Sequence, residues 1–161
     1  MTSLLLRSMI EVSSRAIETI FNATGEILPM YDIVTANNQQ YPFVPPSFRN
    51  NQEKDVVIEL VRREFKRLRV MRYVFIAEAW TLDRPAITRE QAMCLLPSEQ
   101  PDRIEIVAFT AEDRLAGMAS AQRLIIRKVN SRARLGPLTH NDSIEMEGRM
   151  VGLLFNEGRV Q

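Results

Sequence analysis

The sequence predicts an α+β domain in two layers, in which two helices pack on one face of a mostly antiparallel sheet of about five to six strands. Two segments place apolar residues at helical spacing, and several shorter segments are rich in β-branched and aromatic residues between turn signals. Most strand segments follow one another as hairpins, which favours antiparallel pairing. The 161 residues are 45% hydrophobic and 25% charged, so residues 1–161 are expected to form one ordinary globular domain.

The first helix is predicted from Thr2 to Ala23, because apolar residues recur there every three or four positions. Gly25 suits the left-handed residue that ends many helices. The apolar stripe consists of Leu5, Leu6, Met9, Ile10, Val12, Ala16, Ile17, Ile20 and Phe21.

A hairpin follows, formed by residues 26–34 and 41–44, with Asn37 and Asn38 in its turn. Pro29 has no N–H to donate, so the first of these strands is expected at a sheet edge or with a bulge. The second helix starts at Asn50, since Asn50 and Glu53 have the spacing of a capping box. Its apolar face contains Val57, Leu60, Val61, Phe65, Leu68 and Met71, and Glu64 falls inside that stripe.

Residues 72–82 have apolar side chains at both alternating positions, which predicts a central strand covered on both faces. Residues 83–102 form a long connection in which Thr88 is expected to cap one short helical turn. Residues 104–111 and 118–129 predict a second hairpin, residues 139–143 a polar loop, and residues 150–155 a short final strand.

No catalytic or cofactor motif is recognisable, so we expect no metal, no cofactor and no enzymatic activity. His140 and Cys94 are the only histidine and cysteine, too few for the usual zinc ligand sets. The phosphate-binding glycine patterns and the serine nucleophile motif are missing. Cys94 lies among apolar residues and is interpreted as packed, whereas His140 is expected to be exposed in a polar turn.

The most unusual residues are two acidic side chains predicted in apolar surroundings, Glu78 in the central strand and Glu64 in the second helix. A buried carboxylate needs a partner or a raised pKa, so both are candidates for a functional site. The proposed ligand-binding set is Glu78, Trp80, Glu64, Arg123 and Arg127. The alternative is a structural ion pair with Arg72, Arg123 or Arg127.

The net charge of +1 hides two basic segments, of which residues 49–72 have eight basic and four acidic side chains and residues 114–134 have six and none. A nucleic-acid site on the second helix would use Arg62, Arg63, Lys66 and Arg69. Asp55 and Glu59 dilute that basic face.

These observations favour a non-enzymatic interaction or assembly module, self-associating as a homodimer through exposed sheet or strand edges, with a further protein partner not identified by any motif. The unpaired Cys94 and the absence of a long apolar run predict a cytoplasmic protein without membrane contact. The alternatives are a small-molecule binding protein or small enzyme with a pocket around Glu78 and Trp80, and an accessory protein that binds nucleic acid.

Overall fold

A computed structural model describes residues 3–82, 103–141 and 150–154. These ranges contain two helices and seven strands. In chain order the elements are α1 (Leu4–Thr24), β1 (Met30–Thr35), β2 (Gln40–Phe43), α2 (Asn51–Leu68), β3 (Val70–Leu82), β4 (Arg103–Asp113), β5 (Gly117–Ile126), β6 (Arg134–Leu135) and β7 (Thr139–Asn141).

Local sequence signals set the ends of both helices close to the predicted positions. Ser3 caps α1 by accepting the Leu5 N–H at 3.2 Å, and Gly25 ends it with φ at +78°, a conformation that glycine adopts without strain. Asn50 caps α2 by accepting the Glu53 N–H at 2.8 Å. Gly25 and Asn50 thus cap the helices as the sequence predicted, whereas the cap at Ser3 was not predicted.

The strands form one open sheet in the order β2-β1-β3-β4-β5-β6, and β7 also pairs with β5. Every pair is antiparallel, and β3 lies between β1 and β4 as predicted for a central strand. β1 is flanked by β2 and β3, so it is not the edge strand expected from Pro29. Pro29 precedes the strand, and the register irregularity of β1 lies instead between Val34 and Thr35.

The α+β class and the mostly antiparallel sheet are confirmed, but the two helices lie on opposite faces of the sheet. Val74 and Ile76 of β3 pack in the core that α1 covers, whereas Tyr73 and the partly buried Phe75 pack in the core that α2 covers. Packing on one face, as expected from the sequence, would have left one apolar side of β3 in water. Each helix therefore forms two layers with its own face of the sheet.

The core beneath α1 is aliphatic and contains one large ring from the sheet. Ala111, Ala119 and Ala121 are small side chains on the sheet surface of this core, which lets the helix approach closely. Its larger buried members are Leu6, Ile10, Ile17, Phe21, Val74, Ile76, Val107 and Phe109.

The core beneath α2 is a cluster of aromatic rings. Phe65 of α2 meets Tyr31 edge to face with centroids 5.1 Å apart, and Tyr73 lies 5.3 Å from Phe65. Residues 150–154 close this cluster with Met150, Leu153 and Leu154. The predicted final strand is wrong for these five residues, which form buried turns, and the expected polar loop at 139–143 contains the short strand β7.

Candidate functional site

Glu78 and Trp80 lie near the end of β3, on the α1 face of the sheet. They line a cavity of about 240 Å³ together with Ala79, Glu105 and Ile125. Glu78 is exposed, and its Oε1 accepts the Ile27 N–H at 3.1 Å. The expectation that Glu78 is buried is therefore wrong, because α1 ends at Thr24 and β3 extends beyond the area that the helix covers.

Arg123 is a structural residue. Its side chain is 9% exposed, its Nε donates to the Gly136 carbonyl at 2.6 Å, and its terminal nitrogens lie 3.2 and 3.3 Å from the Glu18 carboxylate. These contacts fasten β5 to α1. Arg127 pairs at the surface with Glu105, which lines the same cavity as Glu78.

Glu64 does not join the other candidate residues. It lies on α2, on the opposite side of the sheet, where its half-exposed carboxylate pairs with Arg67 at 2.8 Å. The expected burial of Glu64 is wrong, because the wheel position borders the apolar stripe and the side chain reaches water. The hydrogen bond from Arg67 lowers the pKa of Glu64, which favours the charged form.

The four basic residues proposed for nucleic-acid binding lie along α2 and at its end, but carboxylates interrupt their surface. Arg62 pairs with Glu59 at 3.3 Å. Arg69 is the left-handed cap of the helix, with φ at +53°. Arg63, Lys66 and Arg69 are exposed, so the surface is mixed in charge rather than a continuous basic stripe.

A groove with converging polar groups lies elsewhere, between α1 and the neighbouring face of β1 and β2. It holds a cavity of about 330 Å³, within the usual size of small-molecule pockets. We refer to it as the α1–β1 cavity. Its lining residues are Leu5, Ser8, Met9, Val12, Ser13, Asp32, Val34, Gln40, Arg72 and Val74.

Asp32 supplies the negative charge of the α1–β1 cavity. Its carboxylate accepts the Ser13 hydroxyl at 3.2 Å and the Gln40 amide at 3.1 Å. No cationic side chain of the described ranges comes within 4.0 Å of it. Asp32 thus has neutral hydrogen-bond donors but no counter-charge among residues 3–82, 103–141 and 150–154.

Arg72 supplies the positive charge of the same cavity. Its Nε donates to Asp113 Oδ2 at 2.8 Å. Burial alone would raise the pKa of Asp113, but the hydrogen bonds from Arg72 and from the N–H groups of Ala116 and Leu115 outweigh it and lower the pKa. The Asp113 carboxylate therefore stays ionised and holds one edge of the guanidinium.

Sequence reasoning missed Asp32 as a site residue and considered Arg72 only as an ion-pair partner. The sequence does show a charged residue between the apolar residues Tyr31 and Ile33. In the structure both neighbours are buried and point to the opposite face of the sheet. Pairing of Asp32 with Val74 and of Val34 with Arg72 brings the two charges to adjacent strands. That register was not apparent in the sequence.

A second feature that sequence reasoning missed is the fully buried Glu112, assigned to a loop from its polar neighbours. It accepts the Tyr73 hydroxyl and, at 2.9 Å, the Leu154 N–H. Tyr31 donates to the Met150 carbonyl at 2.7 Å. These bonds attach residues 150–154 to the sheet, which indicates a structural role.

Comparison with known proteins gives no relative: no family model matches the chain, and neither a curated protein nor a solved structure matches it significantly. Across the described ranges, no group of three or more His, Cys, Asp or Glu side chains is arranged to hold a metal ion. Neither α1 nor α2 is long and apolar enough to cross a membrane. Cys94 and the Thr88 helical turn lie outside the described residues.

Proposed function

We propose that this protein is a non-enzymatic interaction module that forms a homodimer through one flank of α1. The supporting observation is a line of exposed apolar side chains on that flank, Leu5, Val12, Ala16 and Ile20. The flank borders the face of β1 and β2 on which Gln40 and Pro42 are also exposed. Exposed apolar surface in one continuous area is typical of interaction sites.

The helix flank is a better candidate than the strand edges considered from the sequence. The edge strand β2 has only four residues and contains Pro42, which cannot donate a hydrogen bond to an added strand. At the other side of the sheet, β6 and β7 occupy the outer edge of β5. Association through backbone pairing is therefore disfavoured at both sides.

A second copy of the chain is the partner that these features favour. A two-fold symmetric interface needs only one self-complementary surface, and the net charge of +1 creates little repulsion between copies. A stable interface buries about 800 Å² on each partner, so the proposed contact extends from the helix flank onto the adjoining face of β1 and β2. The unpaired Cys94 supports a cytoplasmic location as part of this proposal.

The test compares Ile20→Glu on α1 with Leu60→Glu on α2. The two apolar side chains are 42% and 43% exposed, so their replacement has similar effects on folding but falls on opposite faces of the sheet. In sedimentation or light-scattering measurements we expect wild-type and Leu60→Glu protein to be dimeric and Ile20→Glu protein to dissociate. A wild-type monomer at every accessible concentration, or an Ile20→Glu dimer as stable as wild type, contradicts the proposal.

A further inference from the structure

We propose that the α1–β1 cavity binds a small zwitterion with an apolar side chain, of the amino-acid class. This inference rests on observations of its own, although the cavity shares Leu5, Val12 and Gln40 with the proposed dimer surface. Leu5, Met9 and Val12 of α1 give the cavity an apolar wall, and the two opposite charges, Asp32 and Arg72, come from neighbouring strands. Such a combination of apolar walls and a few converging polar groups is typical of small-molecule sites.

The carboxylate of Asp32 is suited to an ammonium group. It accepts hydrogen bonds from the neutral donors Ser13 and Gln40, and its charge is not balanced by any cation within 4.0 Å in the described part of the chain. Hydrogen bonds between ionised groups are about twice as strong as neutral ones. A ligand ammonium would therefore add the counter-charge that Asp32 lacks.

The guanidinium of Arg72 is suited to a carboxylate. Its Nε is held by Asp113, whereas its terminal N–H groups have no hydrogen-bond partner among the described residues. A guanidinium presents paired donors that match the two oxygens of a carboxylate. Because Asp113 fixes one edge, the remaining donors are oriented before the ligand arrives.

The spacing of the two charges favours one molecule that contacts both. Asp32 and Arg72 are diagonal neighbours on β1 and β3, which corresponds to backbone positions roughly 7–8 Å apart, and their charged groups are more than 4.0 Å from each other. In an α-amino acid the ammonium nitrogen and the carboxylate oxygens are about 3 Å apart. With a hydrogen bond of about 2.8 Å at each end, it can contact two charged groups that are too far apart to pair directly.

The presence of both charges favours a zwitterion over simpler ligands. A simple amine would leave the terminal donors of Arg72 unused, and Asp32 would repel a simple anion near Arg72. A zwitterion meets both groups with the opposite sign. Its apolar side chain can then contact Met9 and Val12 on the helix.

The experiment is calorimetric titration of the full chain with L-leucine and two matched analogues. N-acetyl-leucine lacks the ammonium group, and isopentylamine lacks the carboxylate. We expect leucine to bind with Kd below about 1 mM and each analogue to bind at least about tenfold more weakly, because each loses a charged hydrogen bond. Absence of leucine binding, or equal affinity for leucine and either analogue, overturns the proposal.

Substitutions in the cavity lining then test whether leucine binds in this cavity. Asp32→Asn keeps an acceptor oxygen but removes the charge, and we expect at least about tenfold weaker leucine binding. Glu105→Gln is the control, since Glu105 lies on the same face of the sheet but outside this cavity. Ser8→Trp fills the cavity from an exposed helix position and provides a second test that does not depend on Asp32. Wild-type affinity in both Asp32→Asn and Ser8→Trp overturns the proposal.

The ligand and dimer proposals fail separately. Asp32→Asn should remain as dimeric as wild type, and Ile20→Glu should retain leucine binding, because Ile20 does not line the cavity. Loss of leucine binding in Ile20→Glu protein, with its fold intact, would contradict the assignment of leucine binding to the cavity of a single copy.

Discussion

The two faces of the sheet differ in the surroundings of their charged groups. Beneath α2, Glu112 is fully buried and its oxygens accept hydrogen bonds from Tyr73 and Leu154. Beside α1, Asp32 and Arg72 line an open cavity without pairing with each other. The difference separates a polar group that stabilises the fold from polar groups that are available to a ligand.

The two faces differ because the segments that pack on them cover different parts of the sheet. On the α2 face, residues 150–154 lie against the aromatic cluster and bring a backbone N–H to Glu112. On the other face, α1 packs chiefly against β4, β5 and β6, and the groups of β1 are left beside the open flank of the helix. The comparison predicts that substitutions cost stability on the first face and binding on the second.

The largest expected effect is that of Glu112→Ala. The substitution leaves the Tyr73 hydroxyl and the Leu154 N–H buried without this acceptor, which should lower the free energy of unfolding by about 3–5 kcal/mol. Denaturant titration measures the change. Glu78→Ala is the control, since Glu78 is exposed and its loss should cost less than about 1 kcal/mol. Equal losses in the two variants would contradict the distinction between the faces.

Tyr73→Phe should have the next largest effect. It removes only the hydroxyl that donates to Glu112, so we expect a loss of about 1–3 kcal/mol in the same titration. Tyr41→Phe is the matched change at a partly exposed position, where the hydroxyl donates to Gln39 at 3.0 Å. Tyr41→Phe should change the free energy of unfolding by less than about 0.5 kcal/mol; a cost as large as that of Tyr73→Phe would argue against a special role of the buried hydroxyl.

High pH should act mainly on the α2 face. Burial, followed by the charge of Glu112, raises the pKa of Tyr31 and of Tyr73, so both tyrosines are harder to ionise in the folded than in the unfolded state. Their contribution to stability is complete below about pH 10, the ordinary tyrosine pKa, and is lost as pH rises toward the folded-state values. Thermal unfolding between pH 8 and 11, followed by ultraviolet absorbance of tyrosinate, should show this loss. The double variant Tyr31→Phe, Tyr73→Phe should show a smaller pH-dependent loss than wild type.

Low pH should act on the α1 face through Asp113. Because its pKa is lowered in the folded state, the contribution to stability is present above about pH 4 and is lost as pH falls through the folded-state pKa. Asp113→Asn should therefore be less stable than wild type at neutral pH, and the difference should shrink on acidification. A constant difference between neutral pH and about pH 3 would mean that the Asp113 charge does not contribute.

Several parts of this structure could be predicted from neighbouring residues. Gly25 ends α1, Asn50 precedes the first residue of α2, and β4 and β5 pair as a hairpin. Each of these features depends on contacts between residues close in the sequence, or on the alternation of apolar side chains along one strand. The candidate residues were predicted less well, because Glu78 is exposed and Glu64 lies on the other side of the sheet.

By itself, the sequence determined the helices, most of the strands and the antiparallel pairing, since hydrophobic period, capping side chains and turn residues act locally. Only the tertiary structure decided which face each helix covers, which acid is buried and which charges meet. Glu112 depends on Leu154, and Asp32 is brought near Arg72 by the pairing of β1 with β3. These contacts join residues about forty positions apart, and packing of the whole sheet, rather than local pattern, fixes their geometry.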